Sequence, residues 1–184
     1  RLVLTAWRPE GGVTCDAPPE AMGDFWRAVE EADVLVAQNA KFEAGWMHRM
    51  GYDPTGKVWW DTMLAEKLLL CGKSAPLNLG AMARRYGIPD KEEIIDRQFK
   101  AGVDTLDMSP RLVRARCRRD VRTTARIYLA QRKRAEALGL TRVIETRCLL
   151  TPILAVMEAA GMHLARERVT DEYRVASEHL GPVR

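Results

Sequence analysis

The sequence predicts an α/β domain followed by helical material. Short apolar runs that stop at turn residues alternate with helix-period stretches as far as Asp61. Beyond Asp61 every periodic stretch has helical spacing. The composition is that of an ordinary globular chain, with 184 residues, 47% hydrophobic and 29% charged. That length suits one domain, or one domain and part of another, and is enough to bury a core.

Leu2–Trp7 reads as a strand, Arg8-Pro9-Glu10-Gly11-Gly12 as a turn and Val13–Cys15 as a short return strand, together a hairpin. Pro18-Pro19 marks a helix start, and Ala21–Ala32 carries Met22, Phe25, Trp26 and Val29 at helical spacing. Val34–Gln38 is a strand. The helix from Ala40 is expected to bury Phe42, Trp46, Met47 and Met50 and to stop at Gly51. Val58–Trp60 is a second strand, parallel to Val34–Gln38 because a helix joins them. Asp61 caps a helix ending at Gly72. Leu77–Tyr86 and Pro89–Ala101 are helices. Ser109-Pro110 opens a long one that Gly139 closes near Leu138. Thr141 to about Ala160 is expected as one helix, and Asp171–Leu180 as another.

No apolar run approaches the length of a membrane span. Cys15, Cys71, Cys117 and Cys148 are scattered without a CxxC, which argues against a disulfide framework or zinc site and for a reducing compartment. The net charge is +4. It is unevenly placed, since Arg111–Arg134 holds ten Lys or Arg and one acid, Asp120. Such a stripe is either a solvated helix face or a phosphate-binding surface.

Val34–Glu43 is the stretch around which the domain is organised. An apolar strand runs into Gln38-Asn39, and Asn39 is positioned as the N-cap of the next helix, its side-chain oxygen accepting an orphan amide. Glu43 then falls in the first turn, at the carboxyl end of a strand, where α/β folds place ligands. Two readings stay open: an acid complementing the helix dipole, or a functional carboxylate. Asp120 also has two. Val113, Cys117, Val121, Thr124 and Tyr128 form the expected inward stripe of the long helix, with Asp120 and Arg116 along its edge. Asp120 is there either as an ion-pair partner of nearby arginines or as a metal ligand.

Three passages together resemble the proofreading 3′–5′ exonuclease of family A DNA polymerases (the DNA polymerase I type), especially those of phages. VLVAQNAKFE, residues 34–43, resembles the second exonuclease motif. WWDTMLAEKLLLCG with LNLGAMARRYGIP resembles the stretch between motifs, and RCRRDVRTTARIY, residues 116–128, the third motif. Beyond Gly139, ETRCLLTPILAVMEAAGM resembles the start of the polymerase region, although those residues also read as a plain amphipathic helix. The resemblance implies an RNase H-like (DnaQ-like) mixed sheet with flanking helices. It divides the chain into exonuclease over 1–138 and the start of the polymerase over 139–184.

It further implies two divalent ions, Mg²⁺ or Mn²⁺, with Glu43 and Asp120 among their ligands. Two such ions about 4 Å apart stabilise the attacking and leaving oxygens of a phosphodiester. The substrate would be a frayed or single-stranded DNA 3′ end, released as nucleoside monophosphates. Asn39 and Phe42 match positions that meet the primer terminus, with Phe42 either a stacking face or a core residue packed on Trp46. Lys41, Arg118 and Arg122 join them as expected nucleic-acid contacts, and Arg114 and Arg126 as possible phosphate contacts. Asp61 matches a recurring Asp, and its cap role accounts for it without catalysis. A monomer in the cytoplasm of a bacterial or phage-infected cell is expected.

Two departures matter. The family's first motif is an Asp-x-Glu on its central strand, and this chain is expected to lack it. That strand is expected to lie before residue 1, leaving a gap or a collapse between the hairpin and Val34–Gln38. The chain alone is then expected to be inactive. The family's water-orienting Tyr is Arg116 here, and an arginine stays protonated and is a poor base. Two further readings therefore stand beside the exonuclease: a lapsed fold that holds single-stranded DNA, and a related ribonuclease.

Overall fold

A computed structural model describes residues 4–89, 94–162 and 164–180. The chain is a mixed α/β structure, mostly helical with small sheets. β1 (Thr5–Trp7) and β2 (Cys15–Ala17) pair antiparallel, Thr5 opposite Ala17 and Trp7 opposite Cys15. The hairpin is as expected, but its return strand lies two residues later than Val13–Cys15. Val13 stands 78% exposed in the loop, while Ala17 is buried. The shift has a tertiary cause. The Asp16 carboxylate is only 4% exposed and is held by Arg114 (2.6 Å) and Arg118, so the β strand is set where those arginines reach it.

α1 (Gly23–Glu31) follows a 3-10 turn at Pro19–Ala21. β3 (Val34–Ala37) then pairs in parallel with β4 (Val58–Asp61), Val34 opposite Val58 and Ala37 opposite Asp61, around α2 (Ala40–Arg49). The expected parallel neighbours are thus present. β1–β2 and β3–β4 form two separate sheets, with no strand between them among the described residues.

α3 (Thr62–Leu69), α4 (Leu79–Arg85) and α5 (Ile94–Lys100) lead to α6 (Pro110–Leu138). Of the helix expected at Pro89–Ala101, Pro89 is not helical and residues 90–93 lie outside the described residues. α6 packs against β1, β2 and β3, and so bridges the two sheets. It begins with Pro at its first turn and ends at Gly139, whose φ of 66° is readily adopted without a Cβ. Residues 141–160 are two helices rather than one, α7 (Thr141–Cys148) and α8 (Leu150–Ala160). Pro152 is the reason: lacking an N–H, it cannot continue the ladder to the Cys148 carbonyl. α9 (Arg166–Leu180) carries the i,i+4 pairs Arg168–Glu172 and Arg174–Glu178.

One core joins Val29, Ala37, Trp59, Trp60, Ala65 and Leu69 with Ala135, Ile144, Cys148 and Ala155. α7 and α8 therefore share a continuous core with residues 29–69. Close packing of α2 on α8 also settles which side of α2 turns inward. Ala40, Ala44 and Met47 are buried, while Phe42 is 60% exposed and Met50 37%. The expected burial of Phe42 and Met50 is corrected for this reason: small side chains let two helices approach, so the alanine face goes in and the aromatic face stays out. Among the described residues, no helix is long and apolar enough to cross a membrane.

Candidate active site

The turn after β3 is held from β4. Because Ala37 lies opposite Asp61, the end of β4 sits beside the start of α2. Asn39 has φ 61° and ψ 54°, a left-handed conformation that Asn tolerates better than most side chains. Its side chain makes no capping bond, which corrects the expected N-cap. The Asp61 carboxylate does that work instead, accepting from the backbone amides of Asn39 (3.1 Å) and Ala40 (3.0 Å). It also caps its own helix, accepting from Met63 (2.9 Å) and Leu64 (3.3 Å). Burial pushes the Asp61 carboxyl up, and these four amides oppose the push without cancelling it. Gln38 adds a second tie, donating to the Leu77 carbonyl (2.9 Å) and accepting from the Thr62 hydroxyl (2.6 Å).

Glu43 lies in the first turn of α2, as the sequence implies. Burial pushes its carboxyl up to about 7, a backbone hydrogen bond pulls it down, and the Asp61 charge pushes it further up. The residue's own surface is exposed, so protein crowds the carboxyl from one side while water on the other moderates the push. The sequence reading of Glu43 as a plain dipole complement does not account for this raised carboxyl, because a helix N-terminus favours the charged form. Beside it, Lys41 reaches Glu158 of α8 at 2.6 Å. Phe42 meets Trp46 edge-on with ring centroids 6.4 Å apart.

Asp120 sits on α6 between two guanidiniums. Arg116 Nε is 3.4 Å and Arg119 Nε 3.3 Å from its oxygens. Burial raises its carboxyl, and Arg119 and Arg116 lower it by less, so it stays above the ordinary carboxylate value. The buried line of the helix runs through Val113, Thr123, Ile127, Gln131 and Ala135. At about 100° per residue, that line puts Asp120 on the inward midline rather than on the edge expected from the sequence. Arg116, expected as a catalytic group in place of a Tyr, is here an ion-pair partner of Asp120.

The two expected ligands answer to different charges: Asp61 acts on Glu43, while Arg116 and Arg119 act on Asp120. Among the described residues, no group of three or more His, Cys, Asp or Glu is assembled to hold a metal ion. Hard cations take several oxygen ligands, and the oxygens of Asp120 face the guanidiniums of Arg116 and Arg119. The sequence does hold one Asp-x-Glu, Asp90-Lys91-Glu92, between α4 and α5 and outside the described residues. Of the arginines expected to meet nucleic acid, Arg114 and Arg118 are engaged with Asp16. Arg122 and Arg126 are exposed and have no acidic partner among the described residues.

Sequence reasoning missed a buried polar hub next to this site. Glu66 has a fully buried side chain and binds Arg85 (2.7 Å), the Tyr86 hydroxyl (2.5 Å) and Gln131 (3.0 Å). The Trp60 indole donates to Gln131 in turn (3.1 Å). The available signal was Glu66 itself, a carboxylate at helical spacing from Thr62 and Leu69 on the side of α3 that is buried. Compared with known proteins, the chain matches no family model, no curated protein and no solved structure.

Proposed function

We propose that the chain belongs to a 3′–5′ exonuclease of the family A polymerase type, acting on single-stranded or frayed DNA ends. The observation that carries the reading is the turn at Asn39–Glu43. It sits at the carboxyl end of a parallel strand, is tied down by Asp61, and presents a carboxyl whose charge the protein itself disfavours. A carboxylate kept in that condition gains from a cation or proton supplied by a ligand. Mg²⁺ or Mn²⁺ belongs to the proposal with Glu43 and Asp120 as ligands, and the described residues offer these two carboxylates rather than a full set.

The second reading, a strand-binding module without hydrolysis, is favoured by one observation. Arg116 stands where the family has a Tyr, and it pairs with Asp120. One digestion separates the readings. The chain is incubated with Mg²⁺ or Mn²⁺ and end-labelled single strands of DNA or RNA. Stepwise shortening of DNA that is lost in Glu43→Ala and Asp120→Ala establishes hydrolysis by this chain. Binding without shortening matches the chain's expected inactivity alone and rejects hydrolysis by it, and preferential shortening of RNA assigns a ribonuclease. Absence of both binding and shortening rejects all three.

A further inference from the structure

We propose that the cleft between the end of α3 and α7 is a binding site for a nucleoside polyphosphate, its phosphates held by Lys67, Lys73 and Arg147 and its base resting on Leu64 and Leu68. The site goes beyond the nuclease reading and does not depend on it, since it shares no residue with those assigned to hydrolysis or to strand contact.

Local structure and packing bring these residues together. Leu64, Lys67 and Leu68 fall on one side of α3 by their three- and four-residue spacing. Beyond Leu69 the chain reverses through two successive left-handed residues, Cys71 at φ 50° and Gly72 at φ 85°. The reversal brings Lys73 and Ser74 to the same cleft. α7 packs on α3 and contributes Arg147 from its last turn. The cleft has a volume of about 530 Å³, within the roughly 300–1,000 Å³ of small-molecule sites.

Charge makes the ligand an anion. Among the described residues no acidic side chain pairs with Lys67, Lys73 or Arg147, and Ser74 makes no hydrogen bond. Glu66, next to Lys67, is buried and engaged with Arg85. Glu145 is two residues before Arg147 and so about 200° round α7 from it. Helix ends account for part of the charge, because Lys67 and Arg147 each stand in a last turn. A carbonyl end carries only about half a negative charge, so two ends offset about one of the three cations. The remaining charge suits a di- or triphosphate.

The leucines choose the other end of the ligand. Leu64 and Leu68 are half-buried, with the core behind them. One turn apart, they form a shallow wall about 6 Å long, which covers one face of a heterocycle. A lipid chain would need an enclosed channel instead. In a nucleic-acid strand the phosphates are spread one per nucleotide, whereas these three cations converge on one cleft.

The test is calorimetric titration of the full chain with ATP, with tripolyphosphate and with an oligothymidylate, all in EDTA so that no hydrolysis intervenes. ATP should bind one per chain, and tripolyphosphate about tenfold more weakly because it lacks the base. Lys73→Glu and Arg147→Glu should each weaken ATP about tenfold or more. Leu68→Ala should weaken ATP and leave tripolyphosphate unchanged. Arg142→Glu makes the same charge change on α7 outside the cleft and should leave ATP binding nearly intact. Lys73, exposed in the loop, keeps the test decisive if Arg147→Glu or Leu68→Ala does not fold. Absence of saturable ATP binding, or a loss in Arg142→Glu equal to that in Lys73→Glu, overturns the proposal. Tripolyphosphate binding as tight as ATP removes the nucleotide and leaves a plain anion site. Oligothymidylate that displaces ATP and is itself weakened by Lys73→Glu overturns the proposal in favour of a nucleic-acid surface.

Discussion

Asp61 holds Asn39: its carboxylate accepts the Asn39 backbone amide at 3.1 Å, and the residue it anchors has a φ of 61°. The same carboxylate receives Ala40, Met63 and Leu64, so a single side chain closes the first turns of two helices. A lost N-cap costs about 0.5–2 kcal/mol, and two are lost together in Asp61→Ala. That variant should lose about 1–4 kcal/mol in urea denaturation, and Asp61→Asn distinctly less, because one oxygen acceptor survives. A loss below about 0.5 kcal/mol in Asp61→Ala would show that the four bonds are replaceable.

Glu43 gives the fold a pH dependence of unusual sign for an acid. Its folded value of about 7 lies above the ordinary 4.5, so between these values the folded chain holds more protons than the unfolded one. Stability therefore falls as pH rises through that window. Glu43→Gln should remove this slope and raise the melting temperature most at pH 8. Melting curves from pH 5 to 8 check it. Parallel curves for wild type and variant would reject the raised carboxyl.

These two residues show what a one-dimensional reading reaches. The ends of α6, the parallel partnership of β3 with β4 and the capping role of Asp61 were legible because local chemistry sets them. Pro110, Gly139 and the Asp61 cap of α3 act within a few residues of themselves. The second cap was not legible, because it depends on Asp61 lying opposite Ala37 across the sheet. Nor was the inward side of α2. Its aromatic and alanine faces are both apolar, and only α8, more than a hundred residues later, chooses between them. Glu43 and Asp120 could be picked out singly from their spacing. Their separate electrostatic surroundings follow from the packing of α6 and from which arginines reach Asp120.

Glu66 should behave oppositely to Glu43. Burial disfavours its charge, but hydrogen bonds from Tyr86, Gln131 and Arg85 outweigh burial and hold its carboxyl below the ordinary 4.5. Its contribution is present above that value and is lost as pH falls through the lowered one. Breaking a buried pair by removing one partner costs about 3–5 kcal/mol, so Glu66→Ala should destabilise the chain by that order. Burial and the same carboxylate push the Tyr86 hydroxyl up to about 12. An ultraviolet titration should show one tyrosine ionising only near that pH. Phenolate formation that is complete well below it, or a late step that survives in Tyr86→Phe, would remove Tyr86 from the hub.

Asp16 should trade stability against binding. Its carboxylate, 4% exposed, neutralises Arg114 and Arg118, each about half exposed on the face of α6 next to Arg122. While it does so, β2 is fastened to α6, and two of the expected phosphate contacts are occupied by protein. Asp16→Asn keeps the shape and removes the charge. Loss of a buried charged hydrogen-bond partner costs about 1–3 kcal/mol, and the hairpin should loosen by that order. The two guanidiniums are then released towards any bound strand. Each added phosphate contact on a single strand steepens the salt dependence of binding by about 0.7 in log–log slope. The variant should therefore unfold at lower urea, yet bind oligothymidylate more tightly at low salt and with a steeper slope than wild type. Weaker binding with an unchanged slope would mean that Arg114 and Arg118 serve the fold alone, leaving phosphate contact to exposed arginines such as Arg122 and Arg126.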